Sequence, residues 1–203
     1  MFRPTPLAAI AVLLFTGSTH AQGLACMYEV LGSHDTLEHV GAVAVDGDIA
    51  YLADGFGGLQ IVDVSTPSSP TLLGSYDTSG HARDVAVGGG VAYVADWNGS
   101  VIAIDVSDPA TPTPIETYLA PSFFDNVELD GTTLYASARW GMYAVDVSNP
   151  AAPSTLGFYD APDFIEDVAL VGGTAYLTID PDAGGFTGLQ IVDVSNPSSM
   201  TMI

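Results

Sequence analysis

Four aromatic residues, Phe56, Trp97, Trp140 and Phe186, recur at matching places, each just ahead of a phrase of the type "GLQIVDVS". Phe123, Phe124 and Phe164 add rings in other recurring segments. Only three cations exist in the chain, all arginine: Arg3, Arg83 and Arg139. Rings beside arginines are what binding hot spots are enriched in. Such groups stack and pair with ligands; they carry no acid–base or nucleophilic chemistry of their own. The alternative for the rings is packing between neighbouring structural units. Two carboxylate groupings suggest a cation. Ala42, Asp84, Asn126 and Asp167 occupy one repeated position, and their polar members would ring a channel mouth able to hold Ca²⁺ or water. Turn capping is the competing reading for Asp84 and Asp167. In "DPDAGG", Asp180, Asp182 and Gly184 resemble the start of a calcium loop without its third carboxylate or its closing Glu. Nothing else calls for a cofactor. Catalytic signatures such as G-x-S-x-G, H-E-x-x-H, a Walker loop or paired C-x-x-C are absent. His39 and His81 hold equivalent positions, as a repeated structural residue would, and no cysteine joins them to complete a zinc set.

These residues are positioned by a repeat. Asp63, Asp105, Asp146 and Asp193 recur at steps of 42, 41 and 47 residues. A period near 40 marks a repeat architecture. Each unit holds four short apolar runs: a (Val85 to Val87), b (Val91 to Ala95), c (Val101 to Val106) and d (Ile115 to Tyr118). They are rich in Val, Ile, Leu and Tyr, with Gly, Asp, Asn and Pro between them, which is strand and turn chemistry. The a–b junctions read "DG" or "GG", suited to tight hairpins. The Asp of each "DVS" ends strand c and is expected to accept backbone hydrogen bonds in the Pro-containing turn that follows. Four antiparallel strands every 42 or so residues make the blade of a β-propeller. The expected fold is therefore all-β: about four such blades from residues 22–203, with units near 27–68, 69–110, 111–151 and 152–199. In a propeller the b–c and d–a loops emerge on one face. Phe56, Trp97, Trp140 and Phe186, with Arg83 and Arg139, are therefore expected to form one rim.

The phrases "GLQIVDVS", "DVAV", "AYVAD" and the "NP" turn resemble the LVIVD-repeat family of bacterial and archaeal extracellular proteins, over nearly all of residues 27–203. The resemblance implies a β-propeller at or outside the cell surface. It implies no catalytic residues and no agreed ligand. The last unit departs from the pattern: Met200 stands where Pro is expected, and the chain reads "MTMI" where another d strand should begin. Two arrangements fit. Either four blades close, with an N-terminal strand at Tyr28 to Gly32 completing the last, or the four are part of a longer propeller.

Composition bounds the partners. The formal net charge is -21, from 24 Asp+Glu against three Lys+Arg. Such a surface repels nucleic-acid phosphates and anionic membranes. Hydrophobic residues make up 48%, enough for a packed core rather than a disordered chain. Residues 1–21 read as a secretory signal peptide: Arg3, an apolar run from Leu7 to Phe15, and Thr19-His20-Ala21 before the cut. The run is too short to span a bilayer. The mature chain is then secreted, periplasmic or held at the cell surface, with Cys26, the single cysteine, as an alternative lipid anchor. Together these readings predict a non-catalytic scaffold that binds a protein or carbohydrate on its loop face. The competing classes are a propeller-fold hydrolase or lyase, and a passive spacer in a larger surface protein.

Overall fold

The computed structural model describes residues 30–36, 38–119, 123–180 and 187–203. The expected signal-peptide segment, Cys26, Asp182 and Phe186 lie outside them. Leu31–Ile203 form one unit of four antiparallel sheets. The first contains β1 (Ala42–Asp46), β2 (Ile49–Ala53), β3 (Leu59–Asp63) and β4 (Thr71–Tyr76). The second contains β5 (Ala82–Gly88), β6 (Val91–Asp96), β7 (Ser100–Asp105) and β8 (Thr113–Leu119). The third contains β9 (Phe124–Asp130), β10 (Thr133–Ala138), β11 (Gly141–Asp146) and β12 (Ser154–Asp160). The fourth contains β13 (Phe164–Val171), β14 (Thr174–Asp180), β15 (Gly188–Asp193) and β16 (Thr201–Met202). Within every sheet the spatial order is the sequence order. These are propeller blades, and no helix occurs among the described residues. Each blade takes as its outer strand the run that follows the Pro turn, so the blades straddle the sequence units.

Local chemistry explains the repeat. All four a–b hairpins have two-residue turns opened by a glycine at positive φ: Gly47, Gly89, Gly131 and Gly172. Such turns match the twist of paired strands, and a Cβ there would be strained. At the end of strand c, Asp63, Asp105, Asp146 and Asp193 each accept the backbone N–H two residues on, from Ser65, Ser107, Ser148 and Ser195, at 2.8–2.9 Å. Hydrogen bonds from these serines hold the four carboxyls below the usual aspartate range. The "DVS" aspartates therefore build the turn, as their repetition suggests.

In the second and third blades the central strands are covered on both faces, so they read as nearly unbroken apolar runs; every residue of β6 (VAYVAD) is buried. The outer strand is the exposed edge and carries polar residues and Pro114, which blunts unwanted pairing. Between blades the same positions interlock three times. Tyr51, Leu59 and Ile61 pack on Val85, Val94 and Ile104. Tyr93, Val101 and Ala103 pack on Phe124, Val127, Leu134 and Val145. Tyr135, Met142 and Ala144 pack on Ile165, Val168, Leu177 and Val192. Across the last of these, the buried Tyr135 hydroxyl donates to the Val194 carbonyl at 3.1 Å.

The blades form an open row rather than a closed ring of four, which corrects the first arrangement considered above. The fourth blade has an outer strand of its own, β16, paired to β15. Val30–Thr36 adopt no strand. Yet Gly32 abuts the carbonyl of Pro67, as Gly74 abuts that of Pro109 and Gly157 that of Pro197. A side chain at any of the three would collide with that carbonyl. The N-terminal segment thus sits on the first blade in the position that outer strands take against the next blade.

Candidate functional site

The loop face is ordered by Asp96. Its carboxylate, 1% exposed, accepts the backbone N–H groups of His81 at 2.9 Å and Asn98 at 3.1 Å. Asn98 Nδ2 donates to the Ser79 carbonyl, and the Trp97 N–H donates to the His81 carbonyl. These bonds clamp the β6–β7 hairpin to the loop between β4 and β5. Asp54 is the equivalent residue in the first blade. It is as deeply buried, with no hydrogen-bond partner on its carboxylate among the described residues.

Strand a of the last three blades bulges at its start. The pairing register slips between Ala82 and Asp84, at Asp125, and between Ile165 and Asp167. The bulged residues are Arg83, Asp125 and Glu166, which are equivalent in the repeat. A bulge re-aims the extra residue out of the ladder. All three, with Gly41 at the matching place in the first blade, line one cavity of about 390 Å³. His39, His81, Trp97, Phe123, Arg139 and Phe164 also line it, with Asn126 and Ile165. Every described blade contributes to this cavity, which opens at the start of the innermost strands.

Its chemistry is cationic and aromatic. Arg83 lies 5.0 Å from the Trp97 ring centroid and makes a 3.2 Å ion pair with Asp125. Arg139 lies 4.2 Å from the Phe164 centroid and 5.6 Å from that of Trp140. The His81 ring stands edge-on between Phe56, at 4.8 Å, and Trp97, at 6.1 Å. Trp97 in turn meets Phe123 at 6.5 Å. Phe56, Trp97, Phe123 and Trp140 all remain exposed. The structure therefore brings Phe56, Trp97, Trp140, Arg83 and Arg139 to one face. Phe186 lies outside the described residues. Asp125 and Glu166 escaped the reading of the sequence; the signal was that their position breaks the repeat in every blade.

Deeper along strand a the carboxylates serve the frame. Asp84 accepts the Val85 N–H at 2.8 Å and, across the blade boundary, the Val127 N–H at 2.9 Å. Asp167 accepts the Val168 N–H, and Asn126 Nδ2 donates to the Glu166 carbonyl at 2.8 Å. Burial pushes Asp84 up to about 6, against those two hydrogen bonds, with the Asp167 charge adding to the rise. Glu128 is raised too, by burial first and then by Asp84 and Asp167. Asp180 ends β14 on the surface, and Asp182 lies outside the described residues. Among the described residues no three His, Cys, Asp or Glu side chains are grouped to hold a metal.

The LVIVD-repeat model matches residues 39–78, 79–120, 125–161 and 166–203. The chain belongs to the LVIVD-repeat family. The four matched stretches of this LVIVD-repeat chain correspond one to one with the four blades, the third and fourth beginning one and two residues inside β9 and β13. No curated protein sequence matches it. Among solved structures it is similar to the computationally designed Ika4 protein, with TM-score 0.61 and 10% identity over 80% of this chain and 96% of that one. It is similar to the designed Ika8 protein, with TM-score 0.61 and 11% identity over 81% of this chain and 48% of that one. It is also similar to BamB from Moraxella catarrhalis, with TM-score 0.62 and 13% identity over 83% and 51%. At these identities the likeness is one of fold. The LVIVD-repeat chain spans about half the length of Ika8 and of BamB.

Proposed function

We propose that this protein is an exported, non-catalytic binding scaffold whose ligand seats over the loop-face cavity. One observation carries the reading: in a chain of net charge -21, both arginines beyond the signal segment converge on one cavity, each against an aromatic ring. An arginine held over a ring is a preorganised donor fork. Beside it, Trp97 offers broad apolar area that orders at low entropic cost. The ligand that fits is a carbohydrate or a protein loop bearing a carboxylate or similar anion, with a ring or apolar group to lie on Trp97. Loops on a rigid scaffold are where binding residues concentrate. The non-catalytic reading rests on how the charged groups are used. Asp125 is engaged by Arg83, and the His81 ring is wedged between Phe56 and Trp97.

The test is a screen of glycan and peptide arrays, followed by titration of each hit with the wild type, Trp97→Ala and Trp140→Ala. A hot-spot ring should forfeit at least about 1–2 kcal/mol of binding while the melting temperature barely moves. Early unfolding of both variants would mark the rings as packing, and unchanged binding would move the ligand elsewhere. Export is checked by N-terminal sequencing of the secreted protein, which should begin at Gln22.

A further inference from the structure

The loop-face cavity carries charges of both signs, and they are not engaged alike. Among its lining residues, Asp125 is held by Arg83 at 3.2 Å. Glu166 is the equivalent bulged residue of the fourth blade, and it is exposed. Its side chain makes no hydrogen bond or ion pair with any described residue. Its backbone is nonetheless fixed by the frame. The register slip between Ile165 and Asp167 turns it out of the ladder, and Asn126 Nδ2 donates to its carbonyl at 2.8 Å. Bulges recur beside functional sites because they re-aim a side chain at the expense of pairing. Deeper along strand a lie Asp84, Asp167 and Glu128. They are near enough to one another that the charges of Asp84 and Asp167 raise Glu128, and that of Asp167 raises Asp84. The only arginines among the described residues, Arg83 and Arg139, both stand in the cavity wall. The site is therefore bipolar, positive at the arginines and negative from Glu166 inward. Trp97 and Phe123 share the same wall, 49% and 52% exposed, with their rings meeting edge-on at 6.5 Å.

We propose that the ligand of this cavity is zwitterionic: an aromatic or apolar group flanked by an ammonium and a carboxylate. A free amino acid has this chemistry, and so does a loop with lysine and aspartate on either side of a ring. The proposal rests on the binding-scaffold reading above and narrows its ligand to one with a matched cation. The ammonium meets Glu166, the ring lies on Trp97 and Phe123, and the carboxylate goes to the arginines. A purely anionic ligand would face Glu166 and the overall charge of -21, whereas a purely cationic one would face both arginines. A ligand with both charges matches both edges, and the acidic chain draws its positive end inward. An ammonium also gains from the face of a neighbouring ring. The volume of about 390 Å³ is that of a small-molecule site.

The experiment is isothermal titration calorimetry of the full chain with two zwitterionic probes, L-phenylalanine and the end-blocked tripeptide Lys-Phe-Asp. Each has a counterpart without the ammonium: hydrocinnamate for the first, and the tripeptide with norleucine in place of lysine for the second. At least one zwitterion should saturate the protein, and its counterpart should bind at least about tenfold more weakly. Saturation by phenylalanine marks a free amino acid as the source, and saturation by the tripeptide alone marks a protein loop. Glu166→Gln should abolish the preference for the ammonium while binding the counterpart no worse than the wild type does. Glu166 is exposed, so the melting temperature should not move. A counterpart that binds as tightly as its zwitterion, or a preference that survives Glu166→Gln, would overturn the proposal. If that binding is still lost in Trp97→Ala, the binding-scaffold reading stands without it. Failure of both zwitterions to bind at millimolar concentration also overturns the proposal, and the response of the array hits to Trp97→Ala then decides the scaffold reading on its own.

Discussion

Replacing Asp84 with Asn should flatten the pH dependence of folding. Asp84 titrates near 6 in the folded chain against an ordinary value of 3.8. The folded state therefore holds the proton more tightly than the unfolded state does. Its contribution is fully present below 3.8 and is lost as the pH rises through 6. Each tenfold difference in proton affinity between the two states is worth about 1.36 kcal/mol. On that scale the burial of Asp84 costs the fold about 3 kcal/mol at pH 7 and roughly half as much at pH 5. Acidification from pH 7 to 5 should thus stabilise the wild type through Asp84 by about 1 kcal/mol. The amide of the variant cannot titrate, and it also removes part of the pressure on Glu128. The absolute stability of Asp84→Asn mixes two effects, because the amide oxygen satisfies only one of the Val85 and Val127 N–H groups. The pH slope separates them. Urea unfolding at pH 5 and pH 7 for both proteins yields the double difference. Parallel pH dependence in wild type and variant would show that Asp84 titrates as an exposed aspartate, and would refute the burial argument.

Two further outcomes test the packing. Phe124→Ala removes a fully buried ring set between Tyr118 and Tyr143 and should cost about 3–5 kcal/mol of unfolding free energy by denaturant titration. Tyr135→Phe deletes the hydroxyl that reaches Val194 across the third blade boundary and should cost about 1–2 kcal/mol, leaving the far-UV spectrum unchanged.

The blade could be read from the residues because its requirements are local. The hairpin glycines, the "DVS" aspartates and the backbone pairing of strands b and c all meet partners within their own 40-odd residues, so each repeat displays the rule for its own sheet. The loop face was legible for a related reason: the propeller order fixes which hairpins share a side, and this alone groups Trp97, Trp140, Arg83 and Arg139. What escaped depends on neighbours one blade away. Asp84 binds Val127, 43 residues on, and Arg83 pairs with Asp125, 42 residues on. No single unit contains both partners. The bulges that aim Arg83, Asp125 and Glu166 into the cavity were hidden for another reason. Their position differs in every unit, as Gly41, Arg83, Asp125 and Glu166, so the repeat does not display it as a rule. Asp54 and Asp96 were missed although the "AD" that ends strand b repeats in "AYLAD" and "AYVAD". Their burial shows only when the loops fold over them.

Because each strand pairs within its sheet only with its neighbours in sequence, and each blade packs on the blades next to it, the molecule behaves as a one-dimensional array along its chain. A blade can zip as soon as its forty residues have left the ribosome, without waiting for a distant segment. The same wiring grades the resistance to opening. Among the described residues the second and third blades are clasped from both sides, whereas the first and fourth each pack on one neighbour. Amide hydrogens in β6, β7, β10 and β11 should therefore exchange slowest, with protection falling toward both terminal blades. Thermal melting would then spread inward from the ends as successive steps rather than as a single all-or-none event.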